Sequence, residues 1–472
     1  MKILIVEDDI DFAKAVRDEI AKIGIETLTH VTSMLAAKEN ITNDFFDLII
    51  LDLKIPTEDG VLNSDSAHGI ATFTHAKSYA PGTPVIVLTG SSADEHIEVI
   101  LRYAEQVDVW GEGQHIKMVD FVPKHKLGLL PERLQTFAKA VRQILDIEIK
   151  RNNCELSIEQ SRLIRIFAKV HNASRCDVSM LSGGLSGAAV FRLTTSDRHG
   201  NVIHSAVCKI GKIQDIVDES SRYDQHISRL DPTATPRKLN EFLCGAKATA
   251  GVFYSLAQRY PLTGFDITQK DAEYIEKSIN SLSRLFSPWQ TSESRMRIED
   301  IRRRVLTDAN FEDCRRIFDF TWLDAFEQQE IQTRWCCTHG DLHGLNVLIS
   351  DDGSPILIDY GDVEKGPVSL DPITFEFSLH FHPKGPLRNS AWPTHEQAKQ
   401  WYNLEFYLAD CPVPDFIRAC RNWTYKSAPG EREIAVAAYS YLTRQLKYPD
   451  PDIPLISAFI EGAKNMYDNT FK

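Results

Sequence analysis

In the N-terminal quarter of the chain, short continuous apolar runs alternate with stretches whose apolar residues recur at helical spacing. Lys2–Val6, Phe46–Leu51, Pro84–Leu88 and Met118–Val122 are runs of strand length, whereas Asp11–Ile23 sets Phe12, Ala15, Val16 and Ile20 on one helical stripe. Unbroken apolar runs predict strands covered on both faces, hence a doubly wound α/β domain with a parallel sheet. In such sheets chemistry gathers beyond the carboxyl ends of the strands. Pro131–Ile149 next predicts a helix, with Leu134, Phe137, Ala138, Val141, Ile144 and Leu145 along one face. Asn152-Asn153 breaks the pattern, and Ser157-Ile158-Glu159-Gln160 is a capping-box signature for a second helix.

Beyond Cys176 the period shortens to that of hairpins: Val190–Thr194, a turn at Asp197–Gly200, Val202–Ile210, and another pair within Leu239–Leu256. From Lys270 the helical period returns with Ala272, Ile275, Ile279, Leu282 and Leu285. These shifts predict a doubly wound domain at 1–127, a helical connector at 128–175, a small β-rich lobe at 176–262 and a helical lobe at 263–472. The fold class is therefore α/β followed by α+β in one multidomain chain.

Composition narrows the function. Of 472 residues, 43% are hydrophobic and 25% charged, as expected of folded domains. The net charge of −13 lacks the electrostatic footprint of a nucleic-acid-binding protein. No apolar run nears the ~18 residues that a membrane span requires. The start Met1-Lys2-Ile3-Leu4-Ile5-Val6-Glu7-Asp8-Asp9 turns acidic too early for a secretion signal. The nine cysteines are scattered, with no CxxC pair, which fits reduced thiols. The expectation is a cytoplasmic protein with no nucleic-acid partner and no membrane insertion.

Acidic and polar groups follow the predicted strands. Glu7-Asp8-Asp9 follows the first, Asp52 ends the Asp47–Leu51 run, Thr89 follows Pro84–Leu88, and Lys124 follows Phe121-Val122-Pro123. A parallel sheet would converge them on one edge, where clustered carboxylates suit Mg²⁺ and a phosphoryl group. A carboxylate there could act as nucleophile towards a phosphoryl donor. Over residues 1–127 the pattern closely resembles response-regulator receiver domains. The resemblance implies a five-stranded sheet with Asp52 as phospho-acceptor and Glu7, Asp8 and Asp52 around Mg²⁺. It also implies Thr89 and Lys124 as phosphoryl partners, Phe121 at the aromatic switch position, and a histidine kinase or other phosphodonor. Two segments, Thr57–His68 and Asp108–Lys117, look longer than the family's loops; insertions beside the acceptor could slow phosphotransfer or create a docking surface.

The stretch Cys337-Thr338-His339-Gly340-Asp341-Leu342-His343-Gly344-Leu345-Asn346-Val347-Leu348, followed by Ile358-Asp359-Tyr360-Gly361, carries the strongest signal. Its spacing permits one carboxylate to meet a substrate hydroxyl while an amide and a second carboxylate hold Mg²⁺. Upstream, Gly183, Gly184 and Gly187 form a glycine-rich turn whose backbone could approach phosphates. Lys209 sits inside an apolar strand, where an unpaired ammonium would be costly. Glu219 is its candidate partner, on a predicted helix Ile213–Ser228 whose inner face carries Ile216, Glu219, Tyr223 and Ile227; Asp218 competes for that role.

Residues 176–472 thus look like the aminoglycoside phosphotransferase and choline kinase group of protein-kinase-like enzymes, which implies a bilobal fold. By that resemblance Asp341 is the catalytic base, Asn346 and Asp359 hold Mg²⁺, and Lys209 contacts the ATP phosphates across a shared cleft. His339 braces the loop, His343 tilts the likeness towards small-molecule kinases, and Asp371 is structural. Gly344-Leu345 replaces the common Pro-Gly without changing the spacing.

Two weaker signals remain. The basic run Arg295–Arg304 reads first as a solvated helix face. Trp392, Trp401, Tyr402, Trp423 and Tyr425 lie where related enzymes build an acceptor pocket, although core packing explains such rings more often. The leading reading is a two-component signalling protein whose receiver regulates an ATP-dependent phosphotransferase acting on an unidentified hydroxyl acceptor. The alternative is a receiver-controlled kinase-like scaffold without turnover. A transcription factor is the weakest reading, since no basic recognition helix follows the receiver.

Overall fold

Lys2–Val6 and Leu48–Asp52, apolar and buried almost throughout, lie side by side at the centre of a five-stranded parallel sheet. Its order is Thr27–Val31, Lys2–Val6, Leu48–Asp52, Val85–Thr89, Val119–Pro123. This is a computed structural model, and it describes the chain except residues 91–99, 101, 112, 114, 184–187, 231–234, 257–259, 287–292, 318–319 and 472. By internal packing the chain divides into two units: Met1–Val217 with Lys238–Leu256, and Asp218–Arg237 with Ala257–Lys472.

In the first unit, helix Ile10–Ala21 is capped by Asp9, whose carboxylate accepts from the Asp11 and Phe12 amides. Helices Met34–Asn43, Ser66–Tyr79 and Leu130–Leu145 also pack on the sheet, and its two faces form separate apolar cores. The edge strand Thr27–Val31 reads Thr-Leu-Thr-His-Val and is nowhere fully buried, so it lacks the apolar run that marks the others.

The predicted helix Pro131–Ile149 ends at Leu145, and the segment 128–175 is not helical throughout. Glu148–Asn152 is a strand that pairs in parallel with Arg175–Gly183. Its polar sequence suits an edge position, where the paired neighbour rather than propensity decides the backbone. It completes a second, six-stranded sheet ordered Lys238–Phe242, Thr249–Ser255, Val202–Lys212, Ala189–Ser196, Arg175–Gly183, Glu148–Asn152. Helix Ile158–Val170 opens with the expected capping box, Ser157 and Gln160 each bonding the other's backbone N–H.

The two sheets of this unit are joined by direct contacts. Arg162 forms an ion pair with Asp47 at 2.8 Å, with side chains only 7% and 2% exposed. The Gly82 amide donates to Lys247 O and the Gly245 amide to Gly82 O, both at 2.8 Å, while Lys247 Nζ donates to Thr42 O at 2.6 Å. Gly245 has φ +89°, and a Cβ there would meet the Val109 carbonyl at 2.9 Å, so only glycine fits without displacement. Val109 and Trp110, inside one of the two long segments, join Ile166 in one buried cluster against which Phe242 and Cys244 pack.

The second unit is mainly helical. Helix Leu370–Phe381 is buried at every position, and Glu376 within it accepts from Arg421 (2.5 and 2.9 Å) and from Trp401 Nε1 (2.9 Å). Trp392, Trp401 and Trp423 are buried, so these rings pack the core, while Tyr425 is exposed. The basic run is largely neutralised: Arg302 is buried against Glu327 at 2.7 Å, and Arg303 pairs with Asp300, Asp308 and Glu299. Two short hairpin strands, Val347–Ile349 and Pro355–Leu357, hold the loop that carries the strongest motif. Among the described residues, no helix is long and apolar enough to cross a membrane.

Candidate functional site

Glu7 and Asp52 stand at the carboxyl ends of neighbouring strands, fully or nearly buried, with Asp8 beside them half-buried. One carboxylate oxygen from each lies within 4.8 Å of the other two. Lys124 Nζ reaches Glu7 Oε2 at 2.8 Å and Asp52 Oδ2 at 2.9 Å. Ser64 Oγ donates to Asp8 Oδ2 at 2.6 Å, so the long Thr57–His68 segment enters the site. The group lines a cavity of about 470 Å³.

Burial, then the Asp52 charge, raises the Glu7 pKa to about 7, and burial raises that of Asp52. Burial pulls Lys124 the other way, but its bonds to Glu7 and Asp52 win and leave its pKa raised. Three carboxylates against one ammonium leave the cluster short of positive charge. The donor set, all oxygen and closely spaced, fits a hard divalent cation such as Mg²⁺. Thr89 ends the adjacent strand, half-buried, and Phe121 lies partly buried against the core.

In the second unit, Asp341 sits on a loop fixed from beneath. Asp371 accepts from the His339 amide at 2.8 Å and the Gly340 amide at 3.0 Å. His339 is fully buried, its Nε2 3.1 Å from Ile358 O. Gly340 has φ +78°, and a Cβ there would strike the Asp362 carbonyl. Asn346 Nδ2 donates to Asp341 O at 2.9 Å, tying the two ends of the loop. Asp359 adopts φ +65°, a strained conformation for a non-glycine residue and a frequent mark of functional turns. Asn346 and Asp359, an amide and a carboxylate on loops held by one hairpin, are a donor set suited to Mg²⁺.

The side chain of Asp341 is 36% exposed, with Arg444 Nη2 3.4 Å from Oδ1 and His343 Nε2 3.6 Å from Oδ2. Burial pushes the Asp341 pKa up, but Arg444 and the imidazoles of His343, His339 and His382 outweigh it and hold it below the usual carboxylate value. His382 lies tilted against His343 at 4.4 Å between ring centroids. Arg444 and His382 carry no motif: each lies far along the chain, on helix Glu431–Gln445 and at the end of Leu370–Phe381, and only the fold brings them to Asp341.

Lys209 is half-buried in Val202–Lys212, in register with Val190 and Val252. Glu219 is buried on helix Ile213–Gln225, and Ile216, Tyr223 and Ile227 are buried with it. Gly183 ends the strand Arg175–Gly183; Gly184 and Gly187 lie outside the described residues.

Residues 3–107 match the response regulator receiver domain, and residues 279–386 match the phosphotransferase enzyme family. Among solved structures, the receiver domain of NtrX from Brucella abortus is similar at 22% identity, covering 29% of this chain and 98% of that one, with a TM-score of 0.21. Against the longer NtrX structure the chain spans about a third of its length, covering 36% of this chain and 34% of that one, at a TM-score of 0.22. A thermostable mutant of aminoglycoside phosphotransferase APH(4)-Ia is similar at 13% identity, covering 62% and 94%, with a TM-score of 0.35. Ethanolamine kinase Pv091845 of Plasmodium vivax follows at 12% identity, covering 63% and 82%, with a TM-score of 0.32. No curated protein matches the chain. One polypeptide thus joins a response-regulator receiver domain to a domain of the phosphotransferase enzyme family.

Proposed function

We propose that this chain is a cytoplasmic signalling enzyme in which aspartyl phosphorylation of the receiver domain regulates ATP-dependent phosphoryl transfer to a hydroxyl acceptor. The observation that carries the reading is Asp341 on its loop: a carboxylate 36% exposed, on a backbone pinned by Asp371 and Asn346. Asp341 accepts the proton of the acceptor hydroxyl, whose oxygen bonds to the γ-phosphorus of ATP as the bond to the β–γ bridging oxygen breaks, leaving ADP. Lys209 contacts the nucleotide phosphates, Glu219 steadies Lys209, and the glycine turn with Gly183, Gly184 and Gly187 lines the phosphates. Asn346 and Asp359 hold Mg²⁺, which supplies positive charge to the transferring group. Positioning and charge then carry most of the catalysis.

In the receiver, Asp52 takes the phosphoryl group from a histidine kinase or other donor, with Glu7 and Asp8 as further Mg²⁺ ligands. Thr89 and Lys124 meet the phosphoryl oxygens and Phe121 responds to them. The contacts between the two sheets of the first unit support coupling. The turn holding Gly245 and Lys247 leads into Thr249–Ser255, whose Val252 pairs with Lys209. Those contacts lie at the amino-terminal side of the receiver strands, opposite Asp52, so a phosphodonor can reach Asp52 without displacing them.

A labelled-ATP screen of metabolites and lysate, comparing wild type with Asp359→Ala and Asp52→Ala, tests the reading. Labelled product lost in Asp359→Ala supports the enzyme, and a rate altered in Asp52→Ala supports coupling. Partner recruitment without turnover in any condition would favour the scaffold instead.

A further inference from the structure

The surroundings of Asp341 restrict the acceptor. Arg444 is buried and held by two bonds, Nη1 to Gly340 O at 2.9 Å and Nε to Tyr448 OH at 3.1 Å. Its Nη2 is left with two long contacts, 3.4 Å to Asp341 and 3.4 Å to Asp362. Charge-assisted bonds to a guanidinium settle at about 2.7–2.9 Å, so neither carboxylate uses this donor fully. The Asp362 side chain is 54% exposed and can yield the position to another anion. Lys447, one turn along from Arg444, is exposed and adds a second cation on the same side, and Arg304 adds a third by donating to Asp362 O at 2.7 Å. The opposing charges include Asp341, Asp359, Asp362, Asp371 and Glu364, the last 62% exposed and 3.6 Å from Arg304.

The other flank of Asp341 offers neutral hydrogen bonding. The Lys384 amide donates to His382 Nδ1 at 3.1 Å, which places the ring proton on Nε2 and makes that atom a donor. Phe265 packs 5.4 Å from the same ring and closes the wall with an apolar face. Asp341 is thus flanked by the fixed guanidinium of Arg444 and by the imidazole of His343, 3.6 Å from Oδ2, with His382 tilted against that ring at 4.4 Å between centroids, and the guanidinium cannot accept a bond from an ammonium. An aminated acceptor would bring its positive charge against Arg444.

We propose that the acceptor is an anion: a small molecule whose reacting hydroxyl lies beside a carboxylate or phosphate, which Arg444 grips while His382 bonds a neighbouring oxygen. This rests on the phosphotransferase reading, and names the substrate class for it. Arg444 is then an acceptor-binding residue, and it selects against choline-, ethanolamine- and aminoglycoside-like cations.

The test uses full-length protein with Mg-ATP and acceptors matched in hydroxyl but opposite in charge. Glycerate and glycerol phosphate represent the two anion sources, and ethanolamine, choline and an aminoglycoside the cations. ADP release and labelled product are read together, and binding of each acceptor with Mg-ADP present is measured by calorimetry. The expected result is a kcat/KM or affinity at least tenfold higher for an anion, falling at least tenfold in Arg444→Met and partly restored in Arg444→Lys. Arg444→Glu is expected to reverse the preference. The carboxylate and phosphate arms rank the two sources. Equal or better use of cations, no binding of either anion, or a preference unchanged in Arg444→Met overturns the inference. Absence of any Asp359-dependent ADP formation instead overturns the phosphotransferase reading beneath it.

Discussion

The two acidic sites handle their charge in opposite ways. Around Asp52 three carboxylates share one lysine, and Glu7 has its pKa raised to about 7 by burial and by Asp52. Around Asp341 one carboxylate faces a guanidinium and several imidazoles, and its pKa is lowered. The first site is short of positive charge and its oxygen donors fit a divalent cation. The second already holds a built-in cation, Arg444, beside its partly exposed carboxylate. One chain thus carries two acidic sites with opposite charge balances.

The sharpest way to break this comparison is to delete the central carboxylates. Asp52→Asn is expected to abolish base-labile, hydroxylamine-sensitive labelling by a phosphodonor, while Asp341→Asn leaves that labelling intact. Asp341→Asn should in turn lower transfer to the acceptor by about 10²–10⁴-fold, the usual worth of a positioned base. Labelling and turnover assayed on the same preparations check both. If Asp341→Asn also disables the labelling, the sites are not separate.

Next in size is the pair joining the sheets of the first unit. Asp47 and Arg162 are almost wholly buried, and removing one partner strands the other charge. Arg162→Ala should cost about 3–5 kcal/mol in unfolding free energy. The swap of Asp47→Arg with Arg162→Asp should recover part of that loss. Denaturant unfolding of the single and double variants gives the coupling directly.

Acid separates the units by sign. His380 is buried beside Trp392 and Phe459, and burial lowers its pKa to about 3. Its folded pKa lies below the unfolded value, so the unfolded chain binds more protons between about 6.5 and 3. The stability it contributes is present above about 6.5 and is lost as pH falls through that window. Glu7, raised to about 7 from 4.5, behaves oppositely in metal-free protein: its contribution is present below 4.5 and lost as pH rises through about 7. Unfolding followed from pH 8 to 4 in a chelator should show the second unit weakening on acidification, and His380→Gln should flatten that limb. Glu7→Gln should flatten the opposing trend in the first unit.

Much of this was legible in the sequence, for physical reasons. Four of the five receiver strands are apolar runs because the sheet is covered on both faces, and the acidic residues at their ends follow from that topology. Thr27–Val31 was hidden because an edge strand needs no such run, and Glu148–Asn152 because its strand character comes from its neighbour. The loop around Asp341 is a local motif, and its residues stand together as the spacing implied. Arg444 and His382 could not be read from the sequence, since nothing in their own stretches marks them and their meaning arises only when distant helices meet Asp341. The Asp108–Lys117 segment stood out by its length, but the packing of Val109 and Trp110 with Ile166 could not be read from it.

The smallest expected effect concerns a cation that the first unit compensates poorly. Lys124 has two carboxylates, whereas Lys77 has a carbonyl at 3.5 Å and the Phe73 ring at 5.8 Å, with burial lowering its pKa to about 8. The opposing charge that acts on it is Glu105, while Cys244, on the turn that meets the receiver, is a neutral thiol whose pKa burial raises to about 11. Below about pH 8 the folded protein carries the full cost of that buried ammonium, and the cost fades between 8 and 10.5 as the folded form releases its proton first. Lys77→Met keeps the apolar stem against Phe73 and removes the charge, so it should stabilise the protein by about 1 kcal/mol at pH 7. The advantage should shrink as pH rises towards 10, because the wild type gains stability there and the variant does not. A thermal unfolding series over that range decides it: a constant gain would mean that Met merely packs better, and a loss would mean that the ammonium is well paired at the seam.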